Sequence, residues 1–150
     1  MAFVEILVNK VLWASVTGWA IAQMIKVIVG LAREKRVYWR YFVSTGGMPS
    51  AHSATVSSLA TAVGMTQGFG SVAFAIAAIV AMVVMYDAAG LRRAVSRQSV
   101  ILDRLMKELV EKRPRGEMER DLRQFIGHTP TQVIIGAVLG ILTGWLWITL

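Results

Sequence analysis

The sequence predicts an all-α integral membrane protein, a single membrane domain with about four transmembrane helices plus a cytoplasmic or interfacial helix. Three observations predict it. Of its 150 residues 55% are hydrophobic, and the mean hydropathy of +0.57 lies above that of an ordinary soluble domain. The charges are segregated, clustering at 33–40, 92–97 and 103–123 and nearly absent elsewhere. The apolar runs between those clusters approach the roughly 20 residues that cross a bilayer.

The first expected span, 11–31, is strongly apolar but carries Gln23 and Lys26. Residues 1–9 either begin that helix or lie on the membrane surface. Glu5 and Lys10 stand where a leader would have a basic start, so no cleavable signal peptide is expected. The second span, 50–66, is short and rich in Ala, Ser and Thr. Such a helix suits surroundings of protein, because small residues let helices approach closely. Thr66-Gln67-Gly68-Phe69-Gly70 reads as a tight, uncharged turn into the third span, 71–89, which is apolar until Asp87. The basic segment 91–128 follows. Leu91, Val95, Leu102, Leu105 and Leu109 share a helical face, so a helix is expected over 91–112, projecting from the membrane or lying along it. Arg113-Pro114-Arg115-Gly116 breaks it. The fourth span, 131–150, carries Gly136, Gly140 and Gly144, a ridge that suits either internal packing or a homodimer.

The net charge of +7 fits a surface that attracts anionic membrane lipids. The basic residues border the spans, which disfavours nucleic acid as a partner. No cysteine is present, so neither a disulfide framework nor a thiolate metal site is available. The loops 32–49 and 90–128 hold most of the Lys and Arg, and the positive-inside bias assigns both to the cytoplasm. Four crossings then start and end the chain outside, in a multi-pass cell-membrane protein. Lys26, Arg33, His52, Asp87, Arg92 and His128 come to one face of the bilayer.

That face offers the parts of a phosphoryl-transfer site. Histidine serves as nucleophile or as acid near neutral pH. Helix N-termini and cationic side chains hold anions. Pro49 is expected at the first helical position, with Ser50, Ala51, His52 and Ser53 presenting amides behind it. Gly46 and Gly47 allow close backbone approach to a ligand. Arg92 and Arg93 stand at the exit of the third span, and His128 stands between Gly127 and Pro130 at the start of the fourth. Asp87 is expected to be buried or nearly so, since acids within membranes tend to mark function. Each has a plainer reading: Asp87 in an ion pair with Lys26 or Arg92, and the arginines as positive-inside anchors.

The stretches "STGGMPSAHSA", "YDAAGLRRA" and "GHTPTQVIIGAVLG" together resemble the divergent bacterial and plant branch of the type 2 phosphatidic acid phosphatase superfamily. The superfamily motifs run K-x6-R-P, P-S-G-H and S-R-x5-H-x3-D. "KVIVGLAR" keeps Lys26 and Arg33 but has Glu34 for Pro, and "MPSAHS" has Ala51 for Gly. The resemblance implies a metal-independent lipid phosphatase with no cofactor, acting on a lipid phosphomonoester or diphosphate through a phosphohistidine. It implies His128 as nucleophile and His52 as acid. Lys26, Arg33, Gly47, Ser50, Ser53 and the amides of Ala51 and His52 would hold the phosphoryl group, with Arg92 or Arg93 replacing the motif arginine, whose position holds Leu122. Gln132 stands where the motif has its orienting aspartate. Asp87 is expected to supply that carboxylate. The alternative is a catalytically inactive protein that binds anionic lipid or a partner. A small dimeric transporter is a third reading.

Overall fold

The computed structural model describes residues 2–34, 47–109 and 129–150. Expectations placed on Gly46, on the Arg113–Gly116 break and on His128 fall outside the described residues. So do the side chains of Arg33, Arg92 and Arg93, whose backbones lie within helices.

Every regular element among the described residues is a helix. The chain opens with a short helix, α1 (Ala2–Leu7), then breaks at Val8 and Asn9. The Asn9 side chain accepts from the Leu12 amide at 3.0 Å and so caps α2 (Lys10–Glu34). The Trp13 indole donates to the Leu7 carbonyl at 2.9 Å across the junction. Residues 2–9 thus form a separate short helix and its junction, and do not begin the first span.

The third element, α3 (Ala51–Gln67), has 17 residues, about 26 Å at 1.5 Å per residue. Ser50 is its N-cap, the side chain accepting from the Ser53 amide at 3.4 Å. Pro49 therefore precedes the cap and does not occupy the first helical position. The hydroxyl cap, which satisfies an orphan amide, decides the boundary. The Met48–Pro49 peptide is cis.

Gly68, at φ +89°, ends α3. Ser71 then caps the next helix, its Oγ accepting from the Phe74 amide at 3.1 Å. Phe69 folds back over Gly64, where a Cβ would lie 2.5 Å from its ring. It also meets Phe74 edge-on with centroids 5.1 Å apart. The expected tight turn is present.

From there α4 (Val72–Leu109) runs for 38 residues without interruption, about 57 Å. The expected third span and the expected basic helix are one helix. The composition changes at Asp87 to Arg92, but no proline interrupts the backbone there. The last helix, α5 (Pro130–Thr149), spans 20 residues.

Among the described residues three helices are long and apolar enough to cross a membrane: Lys10–Ala32, Val72–Ala89 and Pro130–Thr149. Their outward residues, among them Ile28, Ile76, Ile79, Val83, Val138, Ile141 and Trp145, are exposed. An apolar surface of this extent marks contact with lipid. The second expected span, α3, is the enclosed one. It packs on α5, α2 and α4, and most of its first three turns is buried.

Close approach rests on residues without bulk. A Cβ on Gly136 or Gly140 would run into the carbonyls of Ser50 and Ala54, and one on Gly144 would lie 2.7 Å from the Ser58 carbonyl. The glycine ridge therefore serves internal packing, with α5 parallel to α3. On the other side, α2 runs antiparallel to α3 along Ala14, Gly18, Ala22 and Lys26. A Cβ on Gly18 would lie 3.1 Å from that of Ser58, and the Ser58 hydroxyl donates to the Ala14 carbonyl at 2.8 Å. Interhelical hydroxyl bonds of this kind contribute about 0.6 kcal/mol on average in a bilayer. α4 is also antiparallel, with the Ser57 hydroxyl 3.8 Å from Met85 Sδ.

Candidate functional site

The chain directions bring four segments to one end of the bundle: the C-terminal part of α2, the Gly47–Ser50 approach to α3, the start of α5, and α4 beyond Met85. The clearest link is backbone to backbone. The Ser50 amide donates to the Gln132 carbonyl at 3.1 Å. The first turns of α3 and α5 are thereby joined, and both helices point their positive dipole ends the same way.

Ser50 is fully buried, 0% exposed. Its amide goes to Gln132 and its carbonyl accepts from the Ala54 amide at 3.0 Å. Two of the amides expected to face a ligand, those of Ser50 and Ser53, are thus engaged within the protein. The Ser50 hydroxyl accepts one bond and keeps its own proton to donate. Ala51 and Ser53 are buried in the same turn, and the Ser53 hydroxyl has no hydrogen-bond partner among the described residues. A buried hydroxyl left so costs about 1–3 kcal/mol. Hydropathy gives no sign of it, because serine reads the same whether bonded or not.

Lys26 is 5% exposed, at the end of the α2 stripe of small residues. Its stem lies against the loop before α3: a Cβ on Gly47 would sit 3.8 Å from Lys26 Cγ and Cδ. Gly47 has φ +94°, a conformation that L side chains rarely adopt. The sequence brings Lys26 and Gly47 together through α2 and α3, which lie on either side of the 35–46 stretch. His52, one residue into α3 from its first turn's start, is exposed.

Other expected residues stand differently. Asp87 is exposed, contrary to its expected burial. The buried stripe of α4 runs through Ala77, Ala81 and Ala88, and one residue of helix is a 100° turn, so Asp87 falls off the stripe. Arg92 and Arg93 continue α4 toward this end of the bundle. Ser57 is level with Met85, so the antiparallel register sets Ala89 level with Ser53 and the two arginines beyond it. His128 lies outside the described residues. Thr129, which follows it, is the N-cap of α5. Thr129 and Gln132 form a reciprocal capping box: the Gln132 Oε1 accepts from the Thr129 amide at 3.0 Å, and the Thr129 hydroxyl accepts from the Gln132 amide at 3.4 Å. The residue standing in for the motif aspartate thus closes the helix start. Thr-x-x-Gln carried that signal in the sequence.

An all-α bundle with a small-residue helix enclosed by three lipid-facing ones defines an integral membrane protein. Within that class the chain belongs to the Divergent PAP2 family, whose pattern it matches over residues 7–143. It is similar to "Uncharacterized membrane protein YuiD" of Bacillus subtilis (strain 168), at 35% identity over 92% of this chain and 93% of that relative. No solved structure matches.

Proposed function

We propose that this protein is a lipid-phosphate phosphatase of the cell membrane, hydrolysing a phosphomonoester or diphosphate of a lipid through a phosphohistidine on His128. The observation that carries the reading is the Ser50 to Gln132 hydrogen bond. His52 is two residues from one end of that bond and His128 four from the other. Segments distant in sequence are therefore joined at two helix N-termini, and each of the two histidines lies within four residues of that join in the sequence.

The chemistry proceeds in two displacements. A ring nitrogen of His128 attacks phosphorus, and an N–P bond forms. The P–O bond to the lipid breaks with its electron pair on oxygen, and protonated His52 gives that oxygen a proton. A water then attacks the phosphohistidine and passes a proton to His52. The N–P bond breaks, its electrons return to the imidazole, and inorganic phosphate leaves. Lys26, Arg33, the hydroxyls of Ser50 and Ser53, the Ala51 amide and one of Arg92 or Arg93 neutralise the phosphoryl oxygens. Fixed donors aimed at developing charge are usually the largest single contribution to such a reaction.

The basic loops set the sidedness, with the site in the cytoplasm at headgroup depth. The second reading, an inert lipid-binding relative, draws on Gln132, whose amide oxygen closes the capping box and brings no charge. Purified protein given phosphatidic acid in the presence of a chelator decides between them. Release of inorganic phosphate that vanadate inhibits supports the enzyme. Binding without release supports the inert relative.

A further inference from the structure

The surroundings of α3 are uneven. Helix α5 covers the side of Ser50, Ala54 and Ser58. Helix α2 covers the adjoining side through Ala51 and Ala54 against Ala22, and α4 lies beyond Ser57. Among the described residues α2 and α4 form no packed interface with each other. The gap between them exposes one stripe of α3. At 100° per residue that stripe is His52, Thr55, Leu59, Val63 and Thr66. His52 and Thr66 are exposed, and Thr55, Leu59 and Val63 are half-buried, while Val56 and Ala62 at its margins are buried.

Between its ends at His52 and Thr66 the stripe carries Thr55, Leu59 and Val63. Thr55 donates to the Ala51 carbonyl at 2.7 Å and Thr66 to the Ala62 carbonyl at 2.8 Å. Their protons are engaged on the helix itself, which leaves methyl groups beside Leu59 and Val63. The polar function on this side is His52, at the end where Lys26 meets Gly47. From His52 to Thr66 the slot runs about 21 Å, more than the roughly 15 Å of one leaflet's hydrocarbon.

We infer that this slot seats one hydrocarbon tail of the lipid whose phosphate group lies at His52, so that the ligand is a long-chain lipid phosphate drawn sideways from the leaflet. The inference rests on the phosphatase reading for its headgroup and on the slot for its tail. Two features select this occupant. The slot is continuous with a cationic end, Lys26 and the α3 N-terminus, which favours an anionic headgroup over a zwitterionic one. A second copy carries the same net charge of +7 and brings no anion to that cationic end.

The test uses full-length protein in nanodiscs and a phosphonate analogue of phosphatidic acid with a photoreactive group near the end of one tail. Labelled residues are mapped by mass spectrometry, and phosphate release from phosphatidic acid is measured separately. The expected result is labelling within 55–66 that excess phosphatidic acid competes away. Leu59→Trp should lower it at least tenfold, and Ile79→Trp, on the outward face of α4, should leave it unchanged. Val63→Phe replaces Leu59→Trp if that variant fails to fold. Equal labelling by a phosphatidylcholine probe, labelling confined to the outward face of α4, or cross-links between copies through α3 would each overturn the slot. Labelling as expected without phosphate release leaves the slot standing and removes the phosphatase. Release without labelling of α3 does the reverse.

Discussion

The Ser50 amide and the Gln132 carbonyl, 82 positions apart in the chain, form one hydrogen bond of 3.1 Å. Around it the start of α3 is pinned to the first turn of α5, and the Lys26 stem is laid against Gly47. The following outcomes depend on that arrangement.

Gly140→Val should destabilise the fold, because a side chain there meets the Ala54 carbonyl and the helices must separate. Overpacking of this kind costs about 1–3 kcal/mol. Thermal unfolding in detergent should show a clearly lower midpoint. Gly70→Ala, with nothing within 4 Å of the added carbon, should leave the midpoint where it is.

Lys26→Met keeps an unbranched stem for Gly47 to rest on and removes the charge. Phosphate release should fall about 10²- to 10³-fold, the size of a lost oxyanion donor, with thermal stability nearly retained. Equal release by the variant would remove Lys26 from the site.

Gln132 separates two roles by its variants. Gln132→Glu preserves a capping box and should keep most of the activity, whereas Gln132→Leu removes the side-chain bond to the Thr129 amide and should lose about tenfold or more. Gln132→Asp restores the motif residue but is one methylene shorter. If it exceeds the parent protein and Gln132→Glu does not, the side chain orients the nucleophile and its capping role is secondary. Steady-state kinetics on the three variants distinguishes these results.

The proposed cytoplasmic sidedness rests on the charge pattern and is open to labelling, since the chain has no cysteine. A maleimide that does not cross membranes should modify Gln67→Cys in intact cells and Thr45→Cys only after permeabilisation. The reverse pattern would move the site to the outer face.

Much of the fold was legible in the sequence because segregated charge and hydropathy report directly on the bilayer. The boundaries were less so. Asn9 was a cap signal inside an apolar run. The join at Ala89 to Leu91 reads as a change of partner, from lipid to water, which needs no change of backbone. The glycine ridge of α5 fixed a close contact, while its partner depended on the matching small residues of α3. Asp87 illustrates the remaining limit of sequence: hydropathy gives depth in the membrane but not the face of the helix. At the site, the sequence marked Lys26 and Ser50 as candidates, and Gln132 as a departure from the motif aspartate. The bond from Ser50 to Gln132, and the Ser53 hydroxyl left without a partner among the described residues, depend on tertiary contacts that no local pattern encodes.

The most direct test of the central claim is to trap the covalent intermediate. Protein incubated briefly with radiolabelled phosphatidic acid and quenched in alkali should carry label as an acid-labile phosphohistidine at His128. His128→Ala should carry none and release no phosphate. Rapid hydrolysis with no labelled protein, together with full activity of His128→Ala, would contradict the account.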